Sequence, residues 1–368
     1  MSSRFFRRAF ASFVGLGLPI GMIAVSTTGA SADVGHTSTI YTLSNEASGN
    51  RVLAFARSAD GSLTPAGSYA TGANGSGGGL GSQGSVVVSG DRQILLAVNA
   101  GSNSVSAFRV KRDGTLRLMS TAPSGGAKPI SVTVHGEAVF VLNGDDNTIS
   151  GLGLDDGLAP IPGSTRPLTG KGGAQVSFTP DGRQLVVTEK ASDLIDTFSV
   201  GEDGRVGTAT PAASTGQTPF GFSFDHNGHL LVSNAAGGAA GKSSLSSYSV
   251  GRTGVAAIDG PVASTQTAAC WVALSEDGRF AYTTNTGSGT VTGYAVTPDG
   301  QLTLLNANGV TATVGSGPID AAVVGGDLYT VDSKSRDIAI DHVGANGSLT
   351  PAGNLTGLPA SAVGLAAA

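Results

Sequence analysis

The sequence predicts an all-β protein, a seven-bladed β-propeller of four-stranded antiparallel blades closed by pairing of a C-terminal strand with the first blade. Three observations carry this. A short apolar strand ending in Asn or a polar substitute recurs seven times at a spacing of about 48 residues. A second strand and then a tight turn follow each copy at matched distances. Only 13% of the 368 residues are charged while 40% are hydrophobic. That is enough apolar material for a large core, and too little charge for the outer faces of long helices.

The elements follow in chain order. Met1–Ala32 is expected to be a cleaved export signal, leaving 33–368 as one propeller domain. Arg4, Arg7 and Arg8 form a positive start, Ala9–Val25 an apolar middle, and Ala30-Ser31-Ala32 a small-x-small cleavage site. Arg7-Arg8-Ala9-Phe10 is similar to a twin-arginine signal, with Phe6 in place of the usual serine. The expected product is secreted, periplasmic or held at the cell surface after cleavage near Ala32, with no membrane span in the mature form. It is expected to be a monomer. The full chain carries a net charge of −5, and the signal removes three arginines and no acid. A mildly acidic, aromatic-poor chain is a poor match to phosphate backbones, so nucleic acid is excluded as a partner class. Cys270 is the sole cysteine, which rules out an internal disulfide and a multi-Cys zinc site.

The repeat's first strand ends at Asn45, Asn99, Asn143, Thr188, Asn234, Asn285 and Asp332. About ten residues later comes a V-x-x-F-x-V strand, as in Val105/Phe108/Val110 and Val291/Tyr294/Val296. Its apolar residues occupy both side-chain parities, so both faces of the sheet are buried. A turn follows, such as Asp60-Gly61, Asp113-Gly114 or Asn346-Gly347, and supplies the positive φ of a two-residue hairpin. Ahead of each marker lies a further strand and turn, as in Val176–Gln184. The unit is therefore four strands, A to D. The first repeat lacks strand A, and the C-terminal segment Ser361–Ala366 matches one, which predicts ring closure there.

Strands of the form YTTN-x-GSGTV (from Tyr282) and turns of the form F-x-P-D-G-R (from Phe178) resemble the lactonase family of seven-bladed propellers. That family includes phosphogluconolactonases and carboxymuconate cyclases, and is similar to the wider group with YVTN-type repeats. The resemblance implies a site in the central funnel, with Arg and His starting strand A of the fourth blade and Glu ending its strand B. In this chain Ala174 and Gln175 stand at the Arg and His positions, and Glu189 at the Glu position. A missing charged donor removes roughly 3–4 kcal/mol of transition-state stabilisation. An anionic lactone is therefore a poor substrate for this chain.

The funnel mouth is expected to collect strand-A starts and strand-B ends. Candidate ligand-binding residues are Gln175, Trp271, Phe220, Asp320, Ser131, Asn143 and Asn285, an aromatic wall among hydrogen-bonding groups suited to a small neutral polar or lactone-type ligand. Candidate catalytic residues are Glu189 and Glu46, one acting as general base. His226 and His229 belong to a turn on the opposite rim, and neither a metal nor a cofactor is expected. Gly79–Gly84 satisfies G-x-G-x-x-G but precedes a strand rather than a helix, so it reads as part of a flexible D–A loop, Gly72–Gly84, covering the funnel. Ligand binding is the leading reading. A divergent lactone hydrolase using Glu189, or an extracellular protein-protein interaction platform, is the alternative.

Overall fold

The computed structural model describes residues 38–368, so the expected signal Met1–Ala32 lies outside the described residues. Seven antiparallel sheets are formed in chain order. Six take their four strands consecutively. In blades 3 and 6 the outer strand D is broken into two short pieces, Leu158–Pro160 with Arg166–Pro167 and Leu302–Leu304 with Ala312–Thr313. Among the described residues no helix is long and apolar enough to cross a membrane.

Blade 1 is assembled from both ends of the described chain. Its strands B, C and D are Thr39–Leu43, Arg51–Arg57 and Leu63–Ala70, and its strand A is Val363–Ala367. The register pairs Ile40 with Ala367, Tyr41 with Ala366 and Leu43 with Val363. The Thr42 hydroxyl reaches the carbonyl oxygens of Val363 (3.1 Å) and Gly364 (2.6 Å) across the seam. The closing strand thus satisfies an inner edge that would otherwise leave a row of open backbone groups.

The apolar core lies between blades, as the two buried faces require. Strand-B tyrosines fix neighbouring blades to each other. Tyr41 Oη donates to Gly114 O (2.8 Å), Tyr282 Oη to Gly347 O (3.0 Å) and Tyr329 Oη to Gly61 O (2.8 Å). Each acceptor is the glycine of the C–D turn in the next blade. The Asp-Gly and Asn-Gly turns of the repeat therefore do more than reverse the chain: they present a carbonyl to a fully buried phenol.

The repeated asparagine closes the other end of the blade. Asn99, Asn143, Asn234 and Asn285 have no solvent-accessible side chain to speak of. Each Nδ2 donates to two hydroxyls of strand C: Ser104 and Ser106, Thr148 and Ser150, Ser244 and Ser246, Thr290 and Thr292. These amides hold strands B and C together where the ladder ends.

A chain truncated after Gly357 loses strand A of blade 1. We expect it to lose the cooperative thermal transition of the full chain, read by circular dichroism; an unchanged transition would contradict closure through this strand.

Candidate functional site

The polar residues expected at the funnel mouth are buried, and most have partners inside the protein. Asn143 and Asn285 are the strand-tying amides just described. The Ser131 hydroxyl accepts from Val176 N (3.1 Å), joining the inner strands of blades 3 and 4. Gln175 lies on strand A of blade 4 (Gly173–Phe178) and spans to strand A of blade 5 (Pro219–Phe224). Its Nε2 donates to Phe222 O (3.0 Å) and its Oε1 accepts from Phe222 N (2.7 Å). Inner strands of adjacent blades do not pair with each other, so their axis-facing backbone groups need such partners. The primary amide supplies a donor and an acceptor at once.

Glu189 occupies the asparagine position of blade 4. It pairs with Leu194 as Asn143 pairs with Thr148, so the strand ends one residue later than Thr188. Glu46, by contrast, is an exposed residue following Asn45. The two glutamates are therefore not equivalent, and neither lines the axial cavity described below. Where blades 2, 3, 5 and 6 place Ser106, Ser150, Ser246 and Thr292 on strand C, blade 4 places Asp196, also fully buried. Both Glu189 oxygens and Asp196 Oδ1 lack a donor from the protein, while Asp196 Oδ2 accepts from Thr169 N (2.7 Å). Burial, then the hydrogen bond and charge of Asp196, push the Glu189 carboxyl up to about 8. Blade 4 thus sets two carboxyl groups where blades 2, 3, 5 and 6 set an amide against hydroxyls, and burial favours the neutral form of Glu189. The D–A loop leaves no room above it, since a Cβ on Gly170 would lie 2.3 Å from Glu189 Oε2.

Trp271 and Phe220 meet on the axis with ring centroids 5.3 Å apart. What covers them is the chain itself. The D–A loop joining blades 1 and 2, expected as a cover, descends into the funnel. Trp271 Nε1 donates to Ser82 O (3.0 Å). Gln83 Nε2 donates to Val272 O (3.0 Å) and its Oε1 accepts from Val272 N (3.2 Å). Ser82 Oγ donates to Ile130 O (2.7 Å), and Lys190 Nζ to Gly81 O. One loop thus contacts blades 3, 4 and 6. The signal for this was in the sequence: Gln83 stands before strand A of blade 2 much as Gln175 opens strand A of blade 4, and seven glycines lie between 72 and 84.

Below the loop lies an axial chamber of about 470 Å³. Gln83, Gln175 and Asp320 border its inner end, and Val88, Phe224 and Ala367, near the ends of their A strands, its outer end. Of the candidate residues, the structure brings Gln175 and Asp320 together here. Asp320 is the one ionisable side chain among the described residues lining it. It is 2% exposed, with Oδ1 accepting from Ala321 N (2.8 Å) and Oδ2 from Leu365 N (3.1 Å). Burial without a nearby cation raises its carboxyl to about 8. Both oxygens accept backbone N–H groups, which works against the burial. Among the described residues no three His, Cys, Asp or Glu side chains are grouped to hold a metal. His229 instead bonds Asp225 (2.8 Å) on its rim turn.

Comparison with known proteins adds the following. A family profile described as "Lactonase, 7-bladed beta-propeller" matches residues 35–158 and 156–238. A 6-phosphogluconolactonase of Yersinia enterocolitica is 39% identical over 61 residues, covering 17% of this chain and 18% of that protein. Across curated relatives of this kind the aligned stretch spans between 18% and 47% of their length. A Bacteroides uniformis crystal structure superposes with a TM-score of 0.74 at 20% identity, covering 89% of this chain and 98% of that one. The periplasmic gluconolactonase of Pseudomonas aeruginosa gives 0.67 at 18% identity, covering 89% and 99%. At these identities the structures show a shared fold.

The raised Glu189 carboxyl means the folded state holds a proton that the unfolded chain releases near 4.5. Stability from the pair is present at acid pH and declines as pH rises toward about 8. Glu189→Gln restores an amide donor, so its unfolding free energy should fall less than wild type between pH 6 and 9, by on the order of 2 kcal/mol. Parallel urea titrations check this; identical pH slopes would contradict the raised Glu189 carboxyl.

Proposed function

The chain belongs to the lactonase family of seven-bladed β-propellers, and on that premise we propose that it binds a small neutral polar or lactone-type ligand on its axis, in the chamber closed by Asp320. The observation that carries this reading is the chemistry of the lining. No cationic side chain among the described residues faces the chamber, and its one acid is held neutral by burial. A neutral carboxyl donates to an acceptor such as a lactone carbonyl and repels an anion once ionised. Val86, Phe222 and Leu365 supply an apolar wall, and the volume falls in the range of small-molecule pockets.

The relatives named 6-phosphogluconolactonase support the lactone class. The change at Ala174 and Gln175 argues against the phosphorylated member of it. Ala174 is buried and offers no charge, and Gln175 spends its amide on Phe222. An exported protein meeting an uncharged sugar lactone outside the cytosol fits both the N-terminal segment and this lining.

Titration of the purified protein with δ-gluconolactone and δ-valerolactone by calorimetry tests this. Asp320→Ala should weaken binding about five- to tenfold, the worth of one hydrogen bond. Asp320→Asn keeps a donor and should retain affinity at pH 7. Wild-type affinity should fall as pH rises through about 8, whereas that of Asp320→Asn should not. Equal affinity in Asp320→Ala, or no binding of either lactone, would exclude the chamber as the site.

A further inference from the structure

The funnel loop occupies its position as a ligand would. Lys190 leaves the B–C turn of blade 4 and brings an ammonium to the axis. There it meets Gly81 O and the face of Phe220, 4.8 Å from the ring centroid. It is partly buried, and no ion pair involving it occurs among the described residues. An ammonium drawn out of water is ordinarily matched by an anion; the chain offers it one neutral carbonyl. Beside it, Trp271 Nε1 presents a second donor to Ser82 O. Two donors over an aromatic pair form a recess for an acceptor-rich guest, and the loop supplies two successive carbonyls in the guest's place.

The loop's grip on the recess is mostly polar. Leu80 is its one buried apolar side chain, and a Cβ on Gly78 or Gly79 would meet nothing within 4 Å. Each of its hydrogen bonds contributes little net, because water or a guest can replace it.

We propose that residues 77–82 are a built-in competitor for a second ligand site on the axis, and that the outside ligand is a small hydroxycarboxylate. Its carboxylate pairs with Lys190, an oxygen accepts from Trp271, and its carbon skeleton lies against Phe220. Binding displaces the loop, so the observed affinity is the intrinsic affinity reduced by the fraction of molecules with the loop withdrawn. This site lies on the opposite side of Gln83 from the chamber and does not depend on it.

Trp271 is the sole tryptophan and reports directly. Titration with D-gluconate should change its emission saturably in the wild type. Lys190→Met, which also loses the bond to Gly81 O, should abolish that response while keeping a cooperative thermal unfolding transition. Leu80→Gly weakens the competitor and should tighten binding about tenfold. If Leu80→Gly lowers the unfolding midpoint, Gln83→Ala, which removes only the two bonds to Val272, serves the same comparison. Hydrogen exchange of the 77–82 amides should accelerate when gluconate is bound. Gluconate binding that survives in Lys190→Met, slowed exchange of the loop, or no response in wild type and both loop variants would each overturn the proposal. Lactones and gluconate are titrated separately, so failure of the chamber reading leaves this test intact.

Discussion

The constraint on which this molecule depends is that polar groups carried into a dry propeller interior must find partners inside it. A buried unpaired polar group costs on the order of 1–3 kcal/mol, a large share of the stability of any fold. Six of the seven blades meet the constraint with one or both of two recurring contacts. Asparagine amides bridge to strand-C hydroxyls, and tyrosine hydroxyls reach turn carbonyls in the next blade. Blade 4 departs from the pattern, setting the buried Glu189 against Asp196, and burial holds the Glu189 carboxyl toward its neutral form.

The same constraint shapes the axis. Inner strands face a channel instead of another strand, and Gln175 and Gln83 each cap a backbone donor and acceptor there. The loop before blade 2 is held by donors that would otherwise face the funnel. Below it, Asp320 meets the constraint by keeping its proton. The axis is thereby divided into a cationic, aromatic recess filled by the chain and a chamber with a neutral acid. That division separates this member from a picture of one open funnel lined by charged groups.

Much of the fold was legible in the sequence. The spacing of Asn99, Asn143, Asn234 and Asn285, the turn glycines Gly61, Gly114 and Gly347, and the missing first strand A predict blade count and closure, because backbone pairing and turn geometry are local demands. The site was legible only in part. An asparagine at a strand end looks the same whether it faces a funnel or strand C, and the structure turns it toward strand C. Glu189 was placed one residue past the marker, at Thr188, when it takes the asparagine's own place. Gln175 has the polarity of a ligand contact but completes a neighbouring strand. These assignments depend on which way a side chain turns across blades some 45 residues apart, a distance that local pattern does not encode. Asp320 was found by its position at the start of strand A, while its neutrality comes from burial that only packing reveals.

Buried carboxyl groups inside the ring, Asp320 and Glu189, hold their protons at neutral pH. Infrared difference spectroscopy of the protonated-carboxyl stretch, recorded against pH, measures them directly. Such a band should be present at pH 7, disappear as pH passes about 8, and lose separate components in Asp320→Asn and Glu189→Gln proteins. A spectrum with no protonated carboxyl at pH 7 would contradict this.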